Sequence, residues 1–196
     1  LETLSGQWVA SSPETNPDFS GTPYFFGREL RREVNVPVGL IKCVWGGTPV
    51  ESWMPAEAFL QDKEMAAYYE GQMSGLKKRL ASWDPKKAEA DYQAALKRHK
   101  AKGKGRKPKR ETNPKGNHKN PTTLFNGMVN PVIPYAIRGA IWYQGESHGA
   151  SAAHRYEQHF RAMISAWRKQ WNQGDPATGA GQAFPFYFAQ LANYNK

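Results

Sequence analysis

The sequence predicts an α/β domain with a mainly parallel sheet covered by helices on both faces, a three-layer αβα arrangement. Two observations carry this reading. Apolar, β-favouring runs alternate with amphipathic helical patterns along the 196 residues. Two of those runs, 38–45 and 136–143, end abruptly on glycines and polar residues. Such strand-to-turn edges are where open α/β sheets place their chemistry, because the carboxyl ends of parallel strands open into a crevice.

Taken in order, residues 4–10 read as a short strand and 11–21 as a turn-rich loop. Thr22-Pro23 is a helix start, a capping hydroxyl followed by proline at the first helical position. Tyr24, Phe25, Leu30 and Val34 suit an amphipathic helix to about residue 33, ended by Asn35 and Pro37. Residues 38–45 are almost continuously apolar, the pattern of a strand buried on both faces. Gly46-Gly47-Thr48-Pro49 breaks that run. Two glycines there let backbone N–H groups approach a ligand closely, although for the pair alone an ordinary tight turn is the preferred reading.

Residues 55–70 and 76–101 both read as helical, the second Ala/Lys/Glu-rich with Leu80, Trp83, Tyr92 and Leu96. Thr122 or Thr123 caps a short helix through Met128, and a strand follows over 136–143. From Ser151 onward Tyr156, Phe160, Met163, Ile164, Trp167 and Trp171 recur at spacings of four, three, one, three and four. That is one helical face, and it reads as core rather than as a cofactor box. His154 and His159 on this helix read as exposed or internally satisfied histidines. Residues 174–182 form a loop, and 184–191 a further apolar strand.

Composition narrows the function classes. The single cysteine, Cys43, excludes an internal disulfide and lies in an apolar run, so it reads as a small buried residue. No apolar stretch approaches a membrane span, and no signal-peptide pattern opens the chain. A start without Met reads as a mature product or an excised piece. The net charge of +10 is local: residues 77–120 hold sixteen Lys and Arg against four Asp and Glu, and the rest eleven against thirteen. Residues 77–120 therefore read as a basic helical and low-complexity insertion within one domain spanning 1–196. Its Gly/Pro/Lys-rich part, 102–120, is expected to be a mobile surface loop. Nucleic-acid binders interleave aromatics for stacking; this stretch has none, so the solvated-loop reading is preferred to a polyanion-binding tail. Neither a metal-ligand set nor a cofactor is expected.

The block Gln144-Gly145-Glu146-Ser147-His148 sits between a predicted strand and helix. Gly145-Glu-Ser-His-Gly149 matches the G-x-S-x-G nucleophile elbow, with Ser147 as nucleophile. In that fold an acid and then a histidine follow in the chain, and His148, His154 and His159 stand too near for that order.

Three segments in the same order make a more specific pattern: Trp45-Gly-Gly-Thr-Pro-Val-Glu-Ser-Trp53, Leu124-Phe-Asn-Gly-Met-Val-Asn-Pro131 and Ile141-Trp-Tyr-Gln-Gly-Glu-Ser147. They resemble the sialate O-acetylesterase group of carbohydrate esterases, in the SGNH hydrolase superfamily. Tyr24-Phe-Phe-Gly-Arg-Glu-Leu30, Val36-Pro-Val-Gly-Leu-Ile41 and Pro185-Phe-x-x-x-Gln-Leu191 agree, and the resemblance covers nearly everything outside 77–120. It implies a flavodoxin-like αβα domain that removes acetyl groups from sugars through a serine aided by histidine and aspartate. It further implies that Gly46-Gly47 supplies a backbone N–H to the oxyanion, and Gln144 a side-chain N–H. Glu146 would orient the block, with Trp45, Asn126 and Trp142 at the substrate, and Ser147 would merely follow it. Preorganised neutral donors suit ester hydrolysis, which builds charge on the carbonyl oxygen.

The resemblance also implies an upstream Gly-Gln-Ser-Asn-like block holding the nucleophile and a downstream Asp-x-x-His. Here Ser5-Gly6-Gln7 is followed by Trp8, and none of Asp18, Asp62, Asp84, Asp91 and Asp175 has His three positions later. The expectation is an internal piece of an exported enzyme, the domain incomplete at both ends. It would be completed by other segments of that enzyme and inactive alone. Three alternatives stay open: a hydrolase using Ser147, a carbohydrate-binding module with Trp45, Trp53, Trp142 and Tyr143 as a sugar platform, and nucleic-acid binding through 97–119. Sialic acid, xylan and other acetylated glycans all remain candidate substrates.

Overall fold

The apolar stripe read from residue 156 onward organises the protein. In the computed structural model, which describes residues 6–147, 153–171 and 183–191, it lies on helix α5, Ala153–Gln170. Phe160, Met163, Ala166 and Trp167 of α5 are buried, and Tyr156, Ile164 and Trp171 pack against the same core. Opposite lie Val50, Trp53, Met54 and Phe59, then Leu124, Phe125 and Val129. Trp167 Nε1 donates to Trp53 O at 3.0 Å, so the indole buries its ring without stranding its N–H.

α5 joins two parallel strands, β1 (Ala140–Trp142) and β2 (Phe186–Phe188), in the register Ala140↔Phe186, Ile141↔Tyr187, Trp142↔Phe188. Arg168 of α5 donates twice to Phe184 O, at 3.1 and 3.3 Å, and pins the entry to β2. The α/β class holds. The two strands of the described ladder are fewer than a three-layer sandwich contains.

Helix α1 runs Gly21–Val34 and stops at Asn35, whose φ of 48° is the left-handed stop that asparagine tolerates. Its Gly27 lies so close to the next segment that a Cβ would meet Leu40 Cδ1 at 2.6 Å. That segment, 38–45, was expected to be a buried strand and is not one: it is irregular and outside the ladder. Ile41, Val44 and Trp45 are 40, 53 and 45 % exposed. Apolarity was legible there, but a strand also needs a neighbour for its backbone groups, and no described segment supplies one. Residues 6–10 are likewise irregular, and the rest of that expected strand lies outside the described residues.

The helix expected over 55–70 is two, α2 (Ala56–Phe59) and α3 (Lys63–Ala81). Asp62 caps α3 by accepting from Glu64 N and Met65 N. Asp84, with Pro85 at the first helical position, starts α4 (Pro85–Lys102) in the same way, dividing the stretch 76–101. α2 also touches α5, where Gln170 Nε2 donates to Glu57 Oε1. After α4 the chain doubles back: Arg110 pairs with Glu89 at 2.7 Å and lies over the Tyr92 ring. A series of short turns over 113–120 then leads to a π-helical turn, Phe125–Val129, where a short helix was expected.

Candidate active site

The site is assembled by one residue that sequence reasoning passed over, Thr48. The turn at Gly46-Gly47 needs a left-handed residue, and Gly47 takes it at φ 69°. Thr48 Oγ1 reaches back across the turn to donate to Trp45 O at 2.9 Å, and accepts from Trp53 Nε1 at 3.0 Å. Its own carbonyl accepts from Gln144 Nε2 at 2.6 Å. Thr48 is 2 % exposed, so these bonds are sheltered from competing water. The Gly-Gly turn and the Gln-Gly-Glu block, 96 residues apart in sequence, are thus joined directly.

Gln144 is held from its other side as well. Tyr156 OH donates to Gln144 O at 2.6 Å and accepts from Trp142 Nε1 at 3.2 Å. Burial pushes the Tyr156 hydroxyl pKa upward; the Trp142 bond lowers it, and the Glu146 and Glu51 charges raise it further. Tyr156 therefore stays a neutral donor at working pH. Gln144 Oε1 is buried without a hydrogen-bond partner. Flipping the amide would set Oε1 against Thr48 O, acceptor on acceptor, so the orientation is fixed by chemistry. Gly145 has φ 155°, and a Cβ on it would come within 2.9 Å of Leu191 Cδ1. Glu146 curls back, its Oε2 accepting from Gly145 N at 3.1 Å.

These residues wall a concavity of about 240 Å³, lined by Trp45, Gly46, Gly47, Thr48, Tyr143, Gln144, Glu146 and Ser147. Of the residues expected at the site, Trp45, Gly46, Gly47, Gln144, Glu146 and Ser147 come together. Two do not line it. Trp142 packs in the core between Trp53, Phe160 and Trp167, and Asn126 is exposed, its Nδ2 3.4 Å from Thr122 Oγ1. His148 lies outside the described residues. A larger recess of about 630 Å³ runs along α5 and the end of β2, sharing Gln144 with the concavity, with mostly apolar walls. The polar groups converge on the smaller concavity, which is the better seat for chemistry.

Beneath the site lies a buried pair, Glu51 Oε1 and His159 Nδ1 at 2.9 Å, with 2 and 1 % exposure. The His159 ring also meets Phe59 and Tyr68, so this histidine is internally satisfied, as its sequence context suggested. Glu51 belongs to the wholly buried turn Val50–Trp53 that follows the Gly-Gly loop, and the pair ties that turn to α5. Nothing in a local pattern announces such a pair. Among the described residues no group of His, Cys, Asp and Glu could hold a metal ion.

Comparison with known proteins gives the geometry a setting. The human sialate O-acetylesterase is 26 % identical over 174 residues, covering 89 % of this chain and 25 % of that protein. The rat enzyme is 28 % identical over 176 residues, covering 89 % of this chain and 30 % of its own length. This chain is similar to the sialate O-acetylesterases. A solved carbohydrate acetylesterase from Xanthomonas citri superposes with a TM-score of 0.61 over 97 % of this chain and 30 % of that one, at 27 % identity. No family model matches. The chain thus spans between a quarter and a third of the length of the esterases it matches.

Proposed function

We propose that this chain supplies the oxyanion-hole half of a serine-type carbohydrate O-acetylesterase, hydrolysing acetyl esters on sugars. The observation that carries the proposal is the 2.6 Å bond from Gln144 Nε2 to Thr48 O, which fixes both candidate donors on one wall of the concavity. A carboxamide nitrogen has two hydrogens. Thr48 O takes one and so sets the amide plane, leaving the second for a ligand atom. The Gly46-Gly47 turn offers backbone N–H groups with no side chain in the way, since a Cβ at either glycine meets nothing within 4 Å.

Attack on an acetyl ester moves charge onto the carbonyl oxygen. Donors already in place stabilise that charge without reorganising, and each contributes about 10²–10³ in rate. Tyr156 and Thr48 hold the donors still; Glu146 braces the turn through Gly145 N. The serine nucleophile and its histidine and aspartate come, on this reading, from other segments of the same enzyme. An exported setting goes with the same reading. Among the described residues no helix is long and apolar enough to cross a membrane.

The test is hydrolysis of a generic acetyl ester by this chain alone and by a polypeptide extended at both ends. Activity confined to the extended form, with Gln144→Ala lowering kcat there by about 10²–10³, is the expected result. A second reading has one specific observation in its favour: Ser147 itself lines the concavity. Robust turnover by the 196-residue chain that disappears in Ser147→Ala establishes that reading and removes the first.

A further inference from the structure

We propose that the basic segment 97–119 is a binding arm for acidic polysaccharide, and that it makes the candidate site selective for acetylated glycans bearing uronate carboxylates. The selectivity rests on the esterase reading; the binding does not. Residues 97–119 contain eight Lys and three Arg against one acidic residue, Glu111. Among the described residues only Arg110 of these eleven cations pairs with a carboxylate, Glu89. The other ten have no carboxylate partner among the described residues and can meet an anionic ligand.

What gives this charge a direction is where the arm ends. His118 stacks on Trp45, ring centroids 5.2 Å apart and planes at 29°, and Trp45 is a wall of the concavity. The stack is held from below. Asn113 Oδ1 accepts from Lys115 N and Asn117 Oδ1 from Lys119 N, both at 2.9 Å. Asn120, only 5 % exposed, donates from Nδ2 to Pro114 O at 2.8 Å. Thr122 N then donates to Glu51 O at 3.0 Å, fastening the arm to the turn beneath the site. Lys115 and Lys119, both exposed, flank His118 in the sequence of this anchored stretch.

A polymer with its ester in the concavity leaves across its rim. Carboxylates on neighbouring sugars that come within a Debye length of the lysines, about 8 Å at physiological salt, are attracted to them. The composition favours a glycan over nucleic acid. Lysines are flexible point charges that suit the spaced carboxylates of a polyuronate, and base recognition needs flat rings as well as charge. The arm has no Phe, Tyr or Trp, and of its two histidines His118 is already stacked on Trp45, so it offers no aromatic platform for bases.

The experiment uses the 196-residue chain and titrates it with de-esterified polygalacturonate, neutral xylan, a sulfated glycan and single-stranded DNA at matched charge. The expected result is polygalacturonate binding that weakens about tenfold between roughly 50 and 200 mM salt. The triple variant Lys109→Gln, Lys115→Gln, Lys119→Gln loses about as much again, with an unchanged circular dichroism spectrum. The indole N–H resonance of Trp45, assigned through Trp45→Phe, moves on binding. Xylan binding equally well, DNA or the sulfated glycan binding more tightly, or a stationary Trp45 resonance overturns the proposal. The polymer carries no ester, so loss of the Gln144 mechanism leaves this result standing, and the reverse.

Discussion

Replacing Thr48 by valine deletes one hydroxyl and keeps the side chain's shape, which isolates the clamp that joins the two halves of the site. The hydroxyl accepts from Trp53 Nε1 at 3.0 Å and donates to Trp45 O at 2.9 Å, with Thr48 2 % and Trp53 4 % exposed. In Thr48→Val the indole N–H stays buried with no acceptor, which costs about 1–3 kcal/mol, and the lost turn bond adds about 0.5–1.5. The total is roughly 2–4 kcal/mol. At about 2–4 °C per kcal/mol for a chain of this size, the melting temperature falls by roughly 4–16 °C. Thermal unfolding followed by near-ultraviolet circular dichroism reads this directly, because the tryptophans report their own packing. Thr48→Ser restores the hydroxyl and is the control, expected to recover most of the loss. A valine variant within about 0.5 kcal/mol of the parent, or a serine variant no better than valine, refutes the clamp. On the proposed function, Thr48→Val in the polypeptide extended at both ends is expected to lower kcat more than it raises KM, since the Gly-Gly turn and Gln144 lose a common anchor.

Three further outcomes follow from the same structure. Gly47→Ala forces a side chain onto φ 69° and costs about 1–2 kcal/mol, whereas Gly46→Ala, with no such φ and open space around it, changes the melt little. Glu51→Leu breaks a pair buried to 2 and 1 % exposure and costs about 3–5 kcal/mol, while Glu51→Gln, which keeps an acceptor for His159, costs much less; denaturant unfolding distinguishes them. Burial pushes the hydroxyl pKa values of Tyr68 and Tyr156 up, so the native state holds these protons more tightly than the unfolded chain. Stability is therefore level with respect to them below about pH 10 and declines as pH rises through the raised values. Melts across alkaline pH should show a shallower decline in Tyr156→Phe.

Much of the fold could be read because periodicity reports burial. The stripe on α5 is a local signal that the structure carries; the start of α1 lies earlier than Thr22-Pro23, at Gly21 after Ser20, with no side chain capping it. The division of 55–101 into three helices was also written locally, in Asp62 and in Asp84-Pro85, but the Ala/Lys/Glu background obscured those caps. Strand lengths were overread at 38–45, 136–143 and 184–191, because an apolar run fixes a preference and a ladder requires a partner. The meeting of Gly46-Gly47 with Gln144 could be anticipated only through likeness to esterases, since the bond that makes it spans 96 residues. Tyr156 was counted as one more member of an apolar stripe; its hydroxyl, which positions Gln144 O, is invisible to hydropathy. Thr48 and the Glu51–His159 pair escaped for the same reason, being defined by who stands opposite them.

The unladdered stretch 38–45 has a consequence for the protein as a colloid. With Ile41, Val44 and Trp45 between 40 and 53 % exposed, and Phe25 and Val34 of α1 at 55 and 46 %, each molecule exposes apolar side chains that can adhere to those of another. Each also carries a net charge of +10, which keeps like molecules apart across a distance set by ionic strength. Cohesion is short-ranged and nearly indifferent to dilute salt; repulsion is long-ranged and shrinks with it. A solution of this chain stays clear when the ions are few and clusters when they are many, so salt rather than concentration alone marks its boundary of solubility.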